Sequence, residues 1–362
     1  MLDISICIIT KDECEKLKRC LDSLKNISVE IVVVDTGSTD STIAMLNEYS
    51  KSDTKCRIVI GYFKWINDFG VAKNYCASLA SNNNICIVDS DEWLACGKLE
   101  ETSKLVTNCR FSVGRIERIN KYERNGEKYE NREYISRIYD RRYFEFTGKI
   151  HEQLVRKDGD KYIEFINLPI VFNHDGYNGD AMQINEKCDR NIRLLKEALT
   201  TEGESPYVLY QIGKSYYMAG DYNQAVNYFD KALYFDVNPK LEYVIDMIET
   251  YGYALINSNQ AKKALNLEGV YNIFGDSSDF KFMMGFVYMN NNMFQKAISE
   301  FLDATKCPEG KMKGTNSFLA YYNAGVIMEC LGYTDDAIQL YKKCDGYSKA
   351  EARLKEIYDN KN

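Results

Sequence analysis

The sequence predicts a doubly wound, Rossmann-like α/β domain followed by an all-α repeat solenoid. Three observations carry this expectation. Short apolar runs alternate with helical patterns from Ile4 to Trp93; polar groups follow three of those runs; and after Asn178 the texture turns helical, with small and aromatic residues recurring at fixed spacing. The expected boundaries are 1–178 for the first domain, 179–204 for a linking helix and 205–362 for the repeats.

Ile4 to Thr10 is an apolar run followed by a polar turn, Lys11-Asp12-Glu13, and by Leu17, Cys20, Leu21 and Leu24 at spacings of three and four. That is a strand and then a helix. Glu30 to Val34 predicts a second buried strand, ending in Asp35-Thr36-Gly37-Ser38-Thr39-Asp40, where Gly37 permits a tight turn and Asp40 or Ser41 can cap the next helix. Ile58 to Phe63 predicts a third strand. The stretch Trp65 to Asn74, with Asp68 and Lys73, begins a helix that runs through Leu79. Ile85 to Val88 is an uninterrupted apolar run, read as a strand buried on both faces, and Asp89-Ser90-Asp91-Glu92-Trp93 follows at its carboxyl end.

Ligands of open α/β sheets sit at the carboxyl ends of the strands, so this order reads as a nucleotide-binding half. Carboxylates at Asp89 and Asp91 suit a divalent cation carrying a diphosphate, although an Asp and a Ser before a helical turn also cap helices. Asp35, at a strand tip, can accept hydrogen bonds from a nucleoside's sugar or base, or simply form its own turn. Lys73 is placed to reach a diphosphate; a solvated helix lysine is the bland alternative. Neither a Gly-x-Gly-x-x-Gly nor a phosphate-binding Gly-rich loop with Lys-Ser/Thr is present, which argues against a dinucleotide enzyme or a P-loop NTPase.

The 362 residues exceed one typical domain, and 45% hydrophobic with 27% charged residues is ordinary globular composition. A formal net charge of −7 argues against a general nucleic-acid binder or an anionic-membrane binder. No signal peptide and no integral membrane segment is expected. The 12 cysteines contain no Cys-x-x-Cys pair, so free thiols in a cytoplasmic setting are expected.

From Arg110 to Tyr143 strand patterns alternate with charged turns, Asn125-Gly126 giving a hairpin signal. The only two histidines follow strand-like runs and lie beside carboxylates, in Gly148-Lys149-Ile150-His151-Glu152 and in His174-Asp175-Gly176-Tyr177. Such placement favours a site over two structural histidines.

Four ordered motifs, Ile-Cys-Ile-Ile-Thr-Lys-Asp-Glu ending at Glu13, Val-Val-Asp-Thr-Gly-Ser-Thr-Asp, Phe-Lys-Trp-x-Asn-Asp-Phe-x-x-Ala-Lys-Asn and Val-Asp-Ser-Asp-Glu-Trp, resemble the inverting family 2 glycosyltransferases of the GT-A fold. The resemblance implies a nucleotide-sugar donor, UDP-linked, with Thr10, Glu13, Asp35, Asp68, Lys73, Asp89 and Ser90 on the donor side. It implies Mn²⁺ or Mg²⁺ at Asp91, Asp89 and His174, with His151 as the alternative histidine. Glu152 is implied as general base, with Asp91 and His151 in the catalytic group and Trp93 on the acceptor side. Lys73 stands where an Arg is usual, and Asp12 where an Asn is commoner.

Gly213, Tyr216, Ala225, Phe229 and Ala232 recur as Gly285, Tyr288, Ala297, Phe301 and Ala304, and more loosely as Gly325, Met328, Ala337, Tyr341 and Cys344. This is a tetratricopeptide pattern, small residues where paired helices touch and aromatics between them. Glu242 to Gly275 is expected to hold a degenerate repeat, and Glu351 to Tyr358 a cap. With these repeats the chain resembles the family 2 branch that includes bacterial protein and peptide glycosyltransferases, among them bacteriocin S-glycosyltransferases. A protein or peptide acceptor follows as the expectation, with a homodimer through the repeats as a second use. A cell-envelope lipid or glycan acceptor, or a non-catalytic interaction protein, are the alternatives.

Overall fold

The computed structural model describes residues 2–99, 111–124, 127–175 and 181–359. It divides into two compact units, Met1–Asp180 and Ala181–Asn362. The Asn125-Gly126 turn and residues 176–180 lie outside the described residues.

In the first unit β1 (Ser5–Thr10), α1 (Cys14–Leu24), β2 (Glu30–Asp35), α2 (Thr42–Tyr49), β3 (Arg57–Tyr62), α3 (Phe69–Leu79) and β4 (Asn84–Ile87) follow one another as expected. Then come β5 (Glu92–Cys96), β6 (Ser112–Arg124), β7 (Glu127–Asp140), β8 (Phe144–Thr147), β9 (Gln153–Arg156) and β10 (Glu164–His174). Eight strands form one mixed sheet in the order β3-β2-β1-β4-β7-β6-β10-β5, and β8 and β9 pair as a hairpin. The strands from β3 to β4 are parallel, β7 runs against both β4 and β6, and β5 closes the edge antiparallel to β10.

Burial on both faces explains the unbroken apolar runs. Ile6, Ile8, Ile31, Val33, Cys86 and Val88 belong to a core packed with Leu17, Leu21 and Leu24 of α1. Their neighbours Cys7, Val32, Val34, Ile85 and Ile87 point the other way, into a core with Cys76 and Ala77 of α3 and Phe144 and Phe146 of β8. The described cysteines are free thiols.

One local expectation shifts, and one pair of alternatives is decided. The helix carrying Lys73 begins at Phe69 rather than near Trp65: Asn67 takes a left-handed φ of 61°, and the Asp68 side chain caps the helix by accepting from Val71 N at 2.9 Å. At α2, Asp40 does the capping, accepting from Thr42 N at 2.9 Å, while Ser41 makes no side-chain cap.

The second unit opens with a helix over Ala181–Glu202, and Pro206 stands in the first turn of the next helix. Paired helices follow at Pro206–Met218 with Tyr222–Leu233, Ser278–Asn290 with Phe294–Ala304, and Phe318–Cys330 with Thr334–Lys342. Each expected small position is a close approach. A Cβ on Gly213, Gly285 or Gly325 would lie 2.7, 2.6 or 2.8 Å from the ring of Phe229, Phe301 or Tyr341. The degenerate repeat pairs Glu242–Asn257 with a broken partner made of Ala261–Ala264, a 3₁₀ turn at Leu265–Val270 and Tyr271–Phe274. The final helix, Ser348–Asp359, buries Ala350 and Ile357. No described helix is long and apolar enough to cross a membrane.

Candidate active site

The site is built where the parallel strands end. After β1, Asp12 adopts a left-handed φ of 52° and its carboxylate accepts from Thr39 N at 2.6 Å and Asp40 N at 3.2 Å, tying the first polar turn to the second. Asp35, buried at the tip of β2, accepts from Gly37 N at 2.9 Å and Ser38 N at 3.1 Å. The carbonyl of buried Thr10 receives Thr36 N at 2.9 Å, and its hydroxyl is buried with no hydrogen-bond partner. Glu13 N donates to Thr42 Oγ1 at 3.1 Å, and its carboxylate pairs with Lys16 at 3.1 Å.

Lys73 reaches inward from the middle of α3 and is only 7% exposed. Its ammonium lies 2.5 Å from Glu152 Oε1 and 3.6 Å from Asp89 Oδ1. The two carboxylates come from segments more than sixty residues apart in sequence, so one cation bridges the end of β4 and the β8–β9 turn. That turn is held in place by α3. Asn74 grips Phe146 by both backbone groups, donating to its carbonyl at 2.8 Å and accepting from its N–H at 2.9 Å. Phe69 N donates to Lys149 O at 2.8 Å, and Gly70 leaves room for the Gly148 carbonyl, which a Cβ would meet at 2.8 Å. Within the turn Gly148 and His151 have φ of 100° and 50°, the sharp course that brings Glu152 back over α3.

Asp89 also meets Arg137, whose Nη2 sits 2.5 Å from Asp89 Oδ2 and 2.5 Å from Glu92 Oε1. Arg118 lies 3.3 Å from Glu92 and 2.7 Å from Glu133. Glu92 is fully buried, and buried charges persist only when paired in this way. Burial pushes the Asp89 carboxyl up, but Arg137 and Lys73 outweigh it and hold the group well below the usual carboxylate range. For Lys73 burial works against the charge, yet Glu152 and Asp89 raise it above the ordinary lysine value.

Beside this network β10 sets His174 in register with Asn120 of β6 on one side and Glu92 of β5 on the other. His174 Nδ1 lies 2.7 Å from Asn120 Oδ1, and Nε2 lies 3.3 Å from Asp91 Oδ2. Because Asn120 Nδ2 donates to Glu133 Oε1 at 2.7 Å, its oxygen is the end that faces the imidazole, so Nδ1 carries a proton. Nε2 then either holds a second proton against Asp91 or offers a lone pair beside the carboxylate. The second state is a nitrogen-and-oxygen donor pair with an oriented histidine, which fits a divalent cation. Asp89 does not join it, being turned to Arg137 and Lys73, and among the described residues no three His, Cys, Asp or Glu side chains converge on one point.

Trp93 is not brought to the network. It follows Glu92 on a strand, so it faces the other side of the sheet, where Arg19 of α1 stacks 3.9 Å from its ring centroid. Arg19 is in turn held by both carboxylate oxygens of Asp175, at 2.7 and 2.8 Å. Sequence reasoning missed Arg118, Arg137, Glu92, Glu133 and Asn120. The available signal was charge inside strand patterns: Arg137 in Ile135-Ser136-Arg137-Ile138 and Glu92 at the head of an edge strand need partners when folded.

Residues 5–159 match the family model described as Glycosyl transferase family 2, and residues 206–237 match a tetratricopeptide repeat. The SPbeta prophage-derived glycosyltransferase SunS of Bacillus subtilis is 29% identical over 233 residues, covering 62% of this chain and 52% of that protein. A TPR repeat-containing protein of Synechococcus elongatus is 28% identical over 243 residues, 64% of this chain and 57% of the other. Among solved structures, YrrB, a TPR protein, overlays 48% of this chain and 88% of its own at 21% identity with a TM-score of 0.39, a likeness too loose to argue from. The chain spans little more than half the length of these two curated relatives. Residues 5–159 are thus similar to glycosyltransferase family 2, and the second half of the chain carries a match to a tetratricopeptide repeat.

Proposed function

We propose that this protein moves a sugar, with inversion, from a nucleotide-sugar donor, a UDP-sugar, to a side chain of a protein or peptide. The observation that carries the reading is Lys73 held between Asp89 and Glu152 at the ends of the parallel strands, beside the Asp91–His174 pair. The family 2 match over residues 5–159 and the likeness to SunS support glycosyl transfer.

Asp35, with Thr10, Glu13 and Asp68 near the same strand ends, serves the nucleoside, and Ser90 and Asp89 the ribose and diphosphate. Asp91 and His174, with Asp89 if it turns from Arg137, hold Mn²⁺ or Mg²⁺; His151, on the turn beside Glu152, is the alternative histidine. When bound, the cation neutralises charge that builds on the leaving diphosphate. Glu152 removes the proton from the acceptor O–H or S–H as the heteroatom bonds to the anomeric carbon. The bond from that carbon to the diphosphate oxygen breaks, and its electron pair leaves with the nucleoside diphosphate. The repeats supply an extended surface for a polypeptide.

The test is incubation of the full chain with UDP-, GDP- and dTDP-sugars, Mn²⁺ and candidate polypeptides, read by mass spectrometry for added sugar. Nucleoside diphosphate released by the wild type and not by Glu152→Gln supports the reading. Equal release by both proteins overturns it.

A further inference from the structure

The proposed base is not free in this structure. Its Oε1 is 2.5 Å from the Lys73 ammonium, the shortest contact Lys73 makes, and the Glu152 side chain is only 11% exposed. The Oε1 lone pair is directed at the ammonium, so this oxygen can serve as a base only once that contact is broken. The same ammonium lies 3.6 Å from Asp89 Oδ1 on the side where a donor diphosphate is expected. Phe146 lies beneath it, its ring centroid 5.4 Å from Nζ. Lys73 therefore has two anionic neighbours, one tight and one loose, and a flexible four-carbon stem that can move between them.

The frame around the lysine is tied together by hydrogen bonds to backbone groups. Asn74, the next residue, is bonded to both backbone groups of Phe146, and the Gly148–Glu152 turn is docked on the start of α3. Motion of the Lys73 side chain is thus the small change that can alter the state of Glu152 without moving the turn. Arg137 is held at 2.5 Å by both Asp89 and Glu92, and Arg118 is held at 2.7 Å by Glu133 with Asp89 at 3.9 Å, so Lys73 is the cation that meets both Asp89 and Glu152.

We propose that Lys73 is a positioning residue that couples donor binding to the base: it restrains Glu152 in the empty enzyme and turns to the diphosphate when the nucleotide arrives, freeing Glu152. This inference rests on the reading of Glu152 as base and of the Asp89 side as donor site. It requires that Glu152 and the diphosphate compete for one ammonium, and competition has a signature in binding alone. A carboxylate that competes with a ligand weakens that ligand's binding, so its removal tightens it.

The test is calorimetric titration of UDP, GDP and dTDP, with and without Mg²⁺, into the full-length wild type, Glu152→Gln, Lys73→Met and the double variant. Glu152→Gln should bind the preferred nucleotide about 5-fold or more tightly than wild type, an effect within the usual range of site coupling. Lys73→Met should bind it about 10-fold more weakly, Lys73→Arg should recover much of that loss, and in the Lys73→Met background Glu152→Gln should change nothing. Unchanged or weaker binding by Glu152→Gln, or tightening that persists without Lys73, overturns the coupling while leaving the donor site intact. Failure of all three nucleotides to bind the wild type overturns the donor-site reading and the coupling with it.

Discussion

His174 keeps Nδ1 2.7 Å from Oδ1 of Asn120, and the 2.7 Å bond from Asn120 Nδ2 to Glu133 fixes which end of the amide it meets. The imidazole is thereby held with Nε2 toward Asp91. If the pair takes a divalent cation, Asn120→Ala should weaken Mn²⁺ binding by about 10–100-fold, the usual effect of losing such an orienting partner. Electron paramagnetic resonance titration of Mn²⁺ measures this directly, and an unchanged affinity would remove His174 from the metal site.

Glu152→Gln is nearly isosteric and keeps the turn, so its effect isolates the charge. Transfer to a defined acceptor should fall by about 10²-fold or more, the scale of a general base. Single-turnover kinetics at saturating donor reads the chemical step, and a full rate would locate the base elsewhere.

The parallel strands were legible because burial on both faces leaves uninterrupted apolar runs such as Ile85 to Val88. The repeats were legible because Gly213 and Phe229, or Gly285 and Phe301, are packing partners at a fixed spacing. The polar network was not. Arg118 meets Glu133 across a strand pair, and Arg137 meets Asp89 across 48 positions, relations set by sheet register that no local pattern carries. The same limit applies to Trp93. The resemblance implied the acceptor side for it, and what no local pattern carried is that the alternation of a β-strand sets it under Arg19.

The close approach of Gly285 to Phe301 gives a stability prediction. Gly285→Val would set a branched side chain where even a Cβ lies 2.6 Å from a fully buried ring. Overpacking should cost about 1–3 kcal/mol, read as a lower urea midpoint. The exposed Gly269, with nothing within 4 Å of a built Cβ, should tolerate Ala. Equal stability of Gly285→Val and wild type would mean that the helix pair can open to admit the side chain.

Glu249 in the second unit carries a pH dependence. Burial first, and then the neighbouring Asp279 carboxylate, raise its pKa from 4.5 to about 8. The folded unit therefore holds a proton that the unfolded chain releases above pH 4.5. This group's contribution to stability is full below about 4.5, declines as pH rises toward about 8, and is flat beyond. Asp279 is raised in the same sense, again chiefly by burial. Glu249→Gln should raise Tm at pH 8 and flatten its fall between pH 5 and 8, as followed by thermal circular dichroism; an unaltered slope would exclude Glu249 as its source.

The division of labour between the two units supplies the last prediction. The residues proposed for the donor and the base all belong to Met1–Asp180. The repeats form a separate core whose aromatics are largely spent on packing, as with Phe229, Phe301 and Tyr341. A monosaccharide donor needs no such surface, whereas a polypeptide held along it would present its nucleophile at raised effective concentration. A chain ending at Asp180, checked for folding by circular dichroism, should keep its nucleotide affinity and its slow donor hydrolysis while transfer to the polypeptide acceptor falls by about 10²-fold. Transfer by the shortened chain at the full-length rate would assign the repeats to self-association instead. Sedimentation of the full chain over a range of concentrations would then show the dimer that this alternative requires.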